Sequence, residues 1–259
     1  MRPLSLLWAL VLLLLGTGCA TTAPDAGAAD AAPAVRTPSP ADPWEGFNRG
    51  IFEFNEAFDR GLLRPVAEGY VEYVPGLVRT GVGNVFGNVR DGWSSVNQLL
   101  QGKFLLGAEM GSRFLINTTL GIYGLFDWAS EMKIARNRED FGQTLGYWGV
   151  GTGPYFVIPF VGPSSVRDTV GFAVDREFSV GNVFTSRKYF NWLTALELVD
   201  VRAELLPATR MIDQIALDKY SFLRDGYFAR RLNDVYDGNP PKAPEAPETP
   251  AQPVTPAPK

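Results

Sequence analysis

Residues 42–58 read DPWEGFNRGIFEFNEAF. Asp42 in the N-cap position, Pro43 at the first helical position and Glu45 at the third form a capping-box variant, so a helix is expected to begin here. Trp44, Phe47, Ile51, Phe54 and Phe58 then recur at helical spacing, with Glu45, Arg49, Glu53 and Glu56 elsewhere on the wheel. The stripe is unusually aromatic. It suits a core-facing helix, and it also suits one that partly faces lipid, where aromatic amphipathic faces are favoured.

The same period continues downstream. Val66, Tyr70, Tyr73 and Val74 repeat it, and Val78, Val82, Val85, Val89, Val96 and Leu100 form a long stripe that begins after Pro75 and stops at Gly102. Residues 104–118 carry Glu109 and Arg113 at the spacing of an i,i+4 ion pair. Ser165–Asp175, Lys188–Leu206 and Asp218–Tyr236 have helical patterns as well. Tyr155–Ile158 is the best strand candidate, and Pro159 cuts it short. The predicted fold class is mostly α. From Phe114 to Phe126 no residue is charged, a run too short to span a bilayer and suited to a buried, interfacial or re-entrant segment.

Outside this region the composition changes. MRPLSLLWALVLLLLGTGC (1–19) has a basic start, an apolar stretch Leu4–Leu15 and small residues before the sole cysteine, Cys19. This is the pattern of a secretory signal ending in a lipobox, with Gly16 standing where Leu is usual. Residues 1–18 are therefore expected to be a lipoprotein signal peptide and Cys19 to carry acyl chains. Ala20 in place of Asp favours an outer-membrane destination. Residues 19–43 hold the lipidated cysteine and an Ala/Pro-rich flexible tether, 44–237 a single helical domain, and 238–259 a disordered Pro-rich tail.

Composition removes several chemistries. The chain has no histidine and one cysteine, which excludes Ser-His-Asp and Cys-His catalysis, His-ligated metal and an internal disulfide. A net charge of −4 argues against nucleic acid. No catalytic or metal-binding residues are assigned. Asp127, Asp140, Asp168 and Asp175 are expected to serve as caps or surface pairs, with Ser164 or Ser165 capping the helix that follows. Arg113 and Arg138 are candidates to meet a phosphate, or else solvated charges.

Gly149, Gly151 and Gly153 alternate through FGQTLGYWGVGTGPYFVIPFVGP (141–163). No Lys-Ser/Thr follows, and Pro154 removes an amide where a phosphate cradle needs donors. No nucleotide site is supported. The run is a tight turn leading into an apolar segment, or a hinge that leaves room for a ligand.

Longer motifs carry a resemblance. DPWEGFNR (42–49), RPVAEGYVEYVP (64–75), RFLINTTLGIYGLFDWA (113–129), FGQTLGYWGVGTGPYFVIPFVGPSSVRD (141–168), VRAELLP (201–207) and KYSFLRDGYFARR (219–231) resemble the MlaA, or VacJ, lipoprotein family, in the same order. The resemblance implies a ring-shaped helical domain with amphipathic helices lying in one leaflet of the outer membrane, on its periplasmic side, around a central channel. It implies a non-enzymatic role: removing mislocalised phospholipids from the outer leaflet, with trimeric porins and the periplasmic carrier MlaC as partners. No cofactor is implied beyond the transported phospholipid and the acyl chains on Cys19. Under this expectation Gly149, Gly151, Gly153, Pro154 and Tyr155 belong to the channel or a hinge. Phe47, Ile51, Phe54, Tyr123, Phe126 and Trp128 belong to the membrane interface, although core burial suits Tyr123, Phe126 and Trp128 equally well.

Overall fold

The aromatic helix of the opening stretch is α1 (Glu45–Phe58), and it runs through a π-helical turn, Asp59–Leu63, into α2 (Arg64–Tyr73). The structure, a computed structural model, describes residues 40–179 and 187–241, with backbone alone for 187–191. Cys19, the signal segment, most of the tether and the end of the tail lie outside the described residues.

Helices follow in series: α3 (Gly76–Leu100), α4 (Phe104–Thr119), the short α5 (Trp128–Glu131) and α6 (Phe141–Tyr147). Strands β1 (Tyr155–Ile158) and β2 (Gly162–Ser165) come next, then α7 (Val166–Glu177), α8 (Arg187–Ile215) and α9 (Lys219–Val235). All described residues belong to one compact unit. The mostly α expectation holds.

Local signals set most boundaries. Pro75 forces Val74 into an extended conformation and so ends α2. Gly102, at φ +74°, closes α3 with a Schellman motif: its N–H donates to the Leu99 carbonyl at 3.0 Å, and Lys103 N–H donates to Gln98 at 2.9 Å. That turn folds α4 back on α3. Ser165 caps α7, its hydroxyl accepting the Asp168 N–H at 3.2 Å.

Three expectations need correction. Asp42 does not cap α1, which starts after Trp44. Its carboxylate is buried instead and accepts from Asn48 Nδ2 (2.8 Å) and the Tyr220 hydroxyl, joining α1 to α9. Arg113 does not pair with Glu109; it turns inward to Asp91 and Asp127. Helix α8 continues past Leu206 and through Pro207 to Ile215. Arg202 donates to Thr209 across that point at 3.3 Å and also grips Asp59 of the π turn with two bonds, at 2.6 and 2.8 Å.

β1 pairs antiparallel with β2, Tyr155 opposite Ser165 and Ile158 opposite Gly162. Two small apolar clusters form. Phe86 and Val89 of α3 meet Leu193 and Leu196 of α8, and Tyr155, Val157 and Tyr220 meet Ile51, Phe52, Tyr227 and Phe228. They are modest against what surrounds them. Among the described residues nine apolar side chains are buried and nineteen polar or charged ones are, the reverse of the usual interior.

Candidate functional site

The surface is where the missing apolar residues lie. Phe47 and Phe54 of α1 stand half exposed beside Phe156 and Phe160 from the β1 strand and its turn. Phe104 and Leu105 at the start of α4, and Leu120, Ile122, Tyr123, Leu125 and Phe126 in the turn after it, are exposed too. Tyr123 is 72% exposed and Trp128 46%. Of the interface candidates only Ile51 points partly inward, against the Tyr155 cluster. Apolar surface this extensive marks contact with lipid or protein. Among the described residues no helix is long and apolar enough to cross a membrane.

The glycine run sits between α6 and β1. Gly149 (φ +91°) and Gly153 (φ +71°) hold backbone conformations that other residues rarely adopt, and a side chain at Gly149 or Gly151 would meet nothing within 4 Å. The run is therefore open on the outside. It is anchored at its end: the Pro154 carbonyl accepts the Val166 N–H at 3.1 Å. Tyr155, expected at the channel or hinge, is instead fully buried, its ring against Tyr220, Tyr227 and Phe228. It has no surface for a ligand and anchors the run at its β1 end.

Beneath the apolar exterior the charges are organised in networks. Arg113, with no exposed surface, donates to Asp91 (3.3 Å), to both oxygens of Asp127 (3.0 and 3.1 Å) and to the Ile134 carbonyl (2.5 Å). Arg136 bridges the same two carboxylates. Burial works to raise the Asp127 carboxyl, but bonds from Ser130 and Asn117 and the charge of Arg136 outweigh it and hold the group at about 2. Asp127 also caps α5 through the Ser130 N–H, the role expected for it.

A second network joins α6, α7 and α9. Arg231 forks between Asp140 (2.7 and 2.9 Å) and Asp168 (2.9 and 3.0 Å), while Asp168 also accepts from Arg167 and the Tyr227 hydroxyl. Burial again opposes ionisation, and the Arg231 and Arg167 bonds overcome it, holding Asp168 at about 2. An arginine lies between the two carboxylates, so they do not form an acid–base pair. Asp140 doubles as the cap of α6.

Asp175 is different. It accepts from Trp93 Nε1 (2.6 Å) and the Phe141 N–H (2.9 Å), but among the described residues no cation forms an ion pair with it, and burial pushes its carboxyl up to about 6. A carboxyl with a folded pKa above its unfolded value of 3.8 stabilises fully below that lower value and loses the contribution as pH rises through about 6. On the order of 2 kcal/mol is expected to be lost from this group between pH 4 and 7. Asp175→Asn, which keeps the acceptor oxygen, should flatten this part of a plot of Tm against pH. Burial also pushes Glu139 up to about 7, so a further fall at higher pH should survive in the variant.

One face of α3 carries a polar groove. Gly76, Thr80, Gly83 and Gly87 repeat along it at helical spacing. An open cavity of about 300 Å3 is lined there by Tyr70, Gly76, Arg79, Thr80, Asp200, Ala203 and Glu204. A methyl group at Gly83 would lie 3.3 Å from Asp200 Oδ2 and 3.5 Å from Glu204 Oε1; one at Gly87 would lie 3.6 Å from Arg138 and 3.8 Å from Arg136. Two arginines named as phosphate candidates thus separate sharply. Arg113 is saturated by buried carboxylates, whereas Arg138, in the segment between α5 and α6, packs over Gly87 of α3. Asp200, Glu204, Arg90 and Arg136 were not found from sequence. Their mutual placement depends on α8 lying across α3, which no local pattern records.

A charged interior under an apolar helical exterior defines a helical protein built to contact lipid or another protein over much of its surface. The family model for the MlaA lipoprotein matches residues 40–234, and the chain belongs to that family. It is 37% identical over 202 residues to the intermembrane phospholipid transport system lipoprotein MlaA of Escherichia coli (strain K12), covering 73% of this chain and 76% of that one. The protein of the same description from Haemophilus influenzae is 33% identical over 206 residues, covering 76% and 80%. A solved structure concerned with maintenance of bacterial outer membrane lipid asymmetry superimposes with a TM-score of 0.63 at 36% identity, covering 76% of this chain and 99% of that one.

Proposed function

We propose that this chain moves misplaced phospholipids out of the outer leaflet of the outer membrane without breaking a covalent bond, and so maintains lipid asymmetry. The observation that carries this reading is the charged groove along α3 beneath an exterior rich in exposed aromatic and branched side chains. Withdrawing two acyl chains of about 16 carbons into water would cost roughly 25 kcal/mol. A protein seated in the leaflet avoids that cost: it gives the headgroup a polar path while the tails stay in bilayer or against apolar walls.

In this reading α1, the start of α4 and the 120–126 turn rest in the inner leaflet, and acyl chains on Cys19 hold the protein there. Trimeric porins flank it and the soluble carrier MlaC receives the lipid. The domain forms a ring about a central channel, with the glycine run as a hinge beside it. No residue acts as a catalyst.

Gly151→Leu tests the hinge. A side chain at this position meets no neighbour and the backbone is unstrained, so folding should be unaffected. Transfer of phospholipid from vesicles to the soluble acceptor is expected to fall severalfold, with membrane association intact. Unchanged transfer would remove the glycine run from the path.

A further inference from the structure

Opposite charges stand unpaired one helical turn apart on the groove face of α3. Among the described residues Arg138 makes no hydrogen bond or ion pair, and neither does Glu204. No bridge joins the two. Arg138 faces Gly87 together with Arg136, and Glu204 faces Gly83 together with Asp200. Four residues of α-helix separate the two glycines by about 6 Å.

Each end has further polar capacity. At the cationic end Arg90 Nε is buried without a partner, although the same side chain bridges Glu197 at 3.1 Å. Burial first, then the neighbouring guanidinium groups of Arg90 and Arg136, lower the Arg138 pKa, and the Asp91 and Glu204 carboxylates offset them only in part. At the anionic end Asp200 Oδ1 accepts from the Tyr70 hydroxyl at 3.0 Å, while Oδ2 faces the groove. The open cavity lies at the anionic end, where Arg79 lines it beside Asp200 and Glu204, and Gly87 is buried beneath the two guanidinium groups.

We propose that this face binds a zwitterionic phospholipid headgroup of the phosphoethanolamine kind, its phosphodiester against Arg138 and Arg136 and its ammonium against Glu204 and Asp200. The inference rests on the transport reading and adds a headgroup preference to it. A phosphodiester accepts from guanidinium forks, and a primary ammonium donates to carboxylates. A short ethanolamine arm matches a separation of one helical turn. A glycerol headgroup supplies no cation for Glu204, and inorganic phosphate satisfies only one end.

The test uses the full chain in mild detergent and calorimetric titration with dihexanoyl phosphatidylethanolamine, dihexanoyl phosphatidylglycerol and inorganic phosphate. The ethanolamine lipid should bind severalfold more tightly than the glycerol lipid, and inorganic phosphate should not displace it at equal concentration. Arg138→Gln should weaken both lipids by about tenfold, the loss of one charged hydrogen-bonding group. Glu204→Gln should abolish the preference while leaving the glycerol lipid bound. Neither side chain supports the fold, so unfolding midpoints should not move. Gly87→Asp gives an independent check, because a resident carboxylate beside Arg138 and Arg136 should exclude both lipids.

Equal affinities in the parent chain, an unchanged ratio in Glu204→Gln, full affinity in Arg138→Gln, or displacement by inorganic phosphate would each overturn the proposal. A preparation that shows the predicted preference yet transfers no lipid to an acceptor overturns the transport reading and leaves the headgroup site standing. Transfer with no preference does the reverse.

Discussion

Arg113→Met is expected to leave the domain unfolded or barely folded at 37 °C. The change removes one guanidinium and leaves Asp91, with no exposed surface, and Asp127 facing each other across α3 and the α4–α5 turn. Arg136 remains, but it is partly exposed and cannot replace three sets of bonds. Breaking a buried pair from one side costs about 3–5 kcal/mol because the stranded charge stays buried. Against a total stability of about 5–15 kcal/mol, that is a large share. For a domain of this size each kcal/mol moves Tm by about 2–4 °C, so a fall on the order of 10 °C is expected by circular dichroism in mild detergent. Replacing Asp91 by Leu in the same chain should recover part of the loss, since it removes the stranded buried carboxylate and leaves Asp127 with Arg136, Asn117 and Ser130. If the single variant melts with the parent, the network is not what holds α3, α4 and α5 together.

The second large effect falls where α6 meets α7. Gly171 and Gly142 approach so closely that a methyl group on Gly171 would lie 2.5 Å from the Gly142 nitrogen and 2.6 Å from its Cα. These are backbone atoms and cannot swing aside. Gly171→Ala must push the helices apart, at a cost of about 3 kcal/mol for an overpacked contact that cannot relax. The separation also stretches the Asp140–Arg231–Asp168 clamp, whose two carboxylates sit on these same elements. The variant should therefore melt lower and lose protection of the Asp168 region in hydrogen exchange. Gly151→Ala is the matched control: a methyl group there meets nothing, and the change should stay within about 0.5 kcal/mol.

These two sites also show what a sequence can and cannot disclose. The Gly102 turn, the Pro75 break, strand Tyr155–Ile158 and the Ser165 cap were legible because each is decided within a few residues of itself. Asp42 looked like a cap from its neighbours, yet its partner Tyr220 is 178 residues away. Strand β2 reads GPSS and carries no strand signal; it exists because a turn with Phe160 at φ +64° lays it against β1. Arg113 offered a plausible local partner in Glu109, and tertiary packing preferred two buried carboxylates. Valine spacing found the apolar stripe of α3 but not its glycine face, since absent side chains leave no periodic signal. Exposed aromatics such as Phe47 and Tyr123 could be named as interface candidates from sequence, but not distinguished from core residues. Only the location of the charges inside makes that distinction.

The most direct measurement follows labelled phospholipid in vesicles carrying the purified, acylated chain, with the soluble periplasmic acceptor added outside. Intact phospholipid should appear on the acceptor at a rate that rises with the amount of protein and falls in Gly151→Leu. Label that stays in the vesicles, or arrives as lysolipid and free fatty acid, would contradict the account.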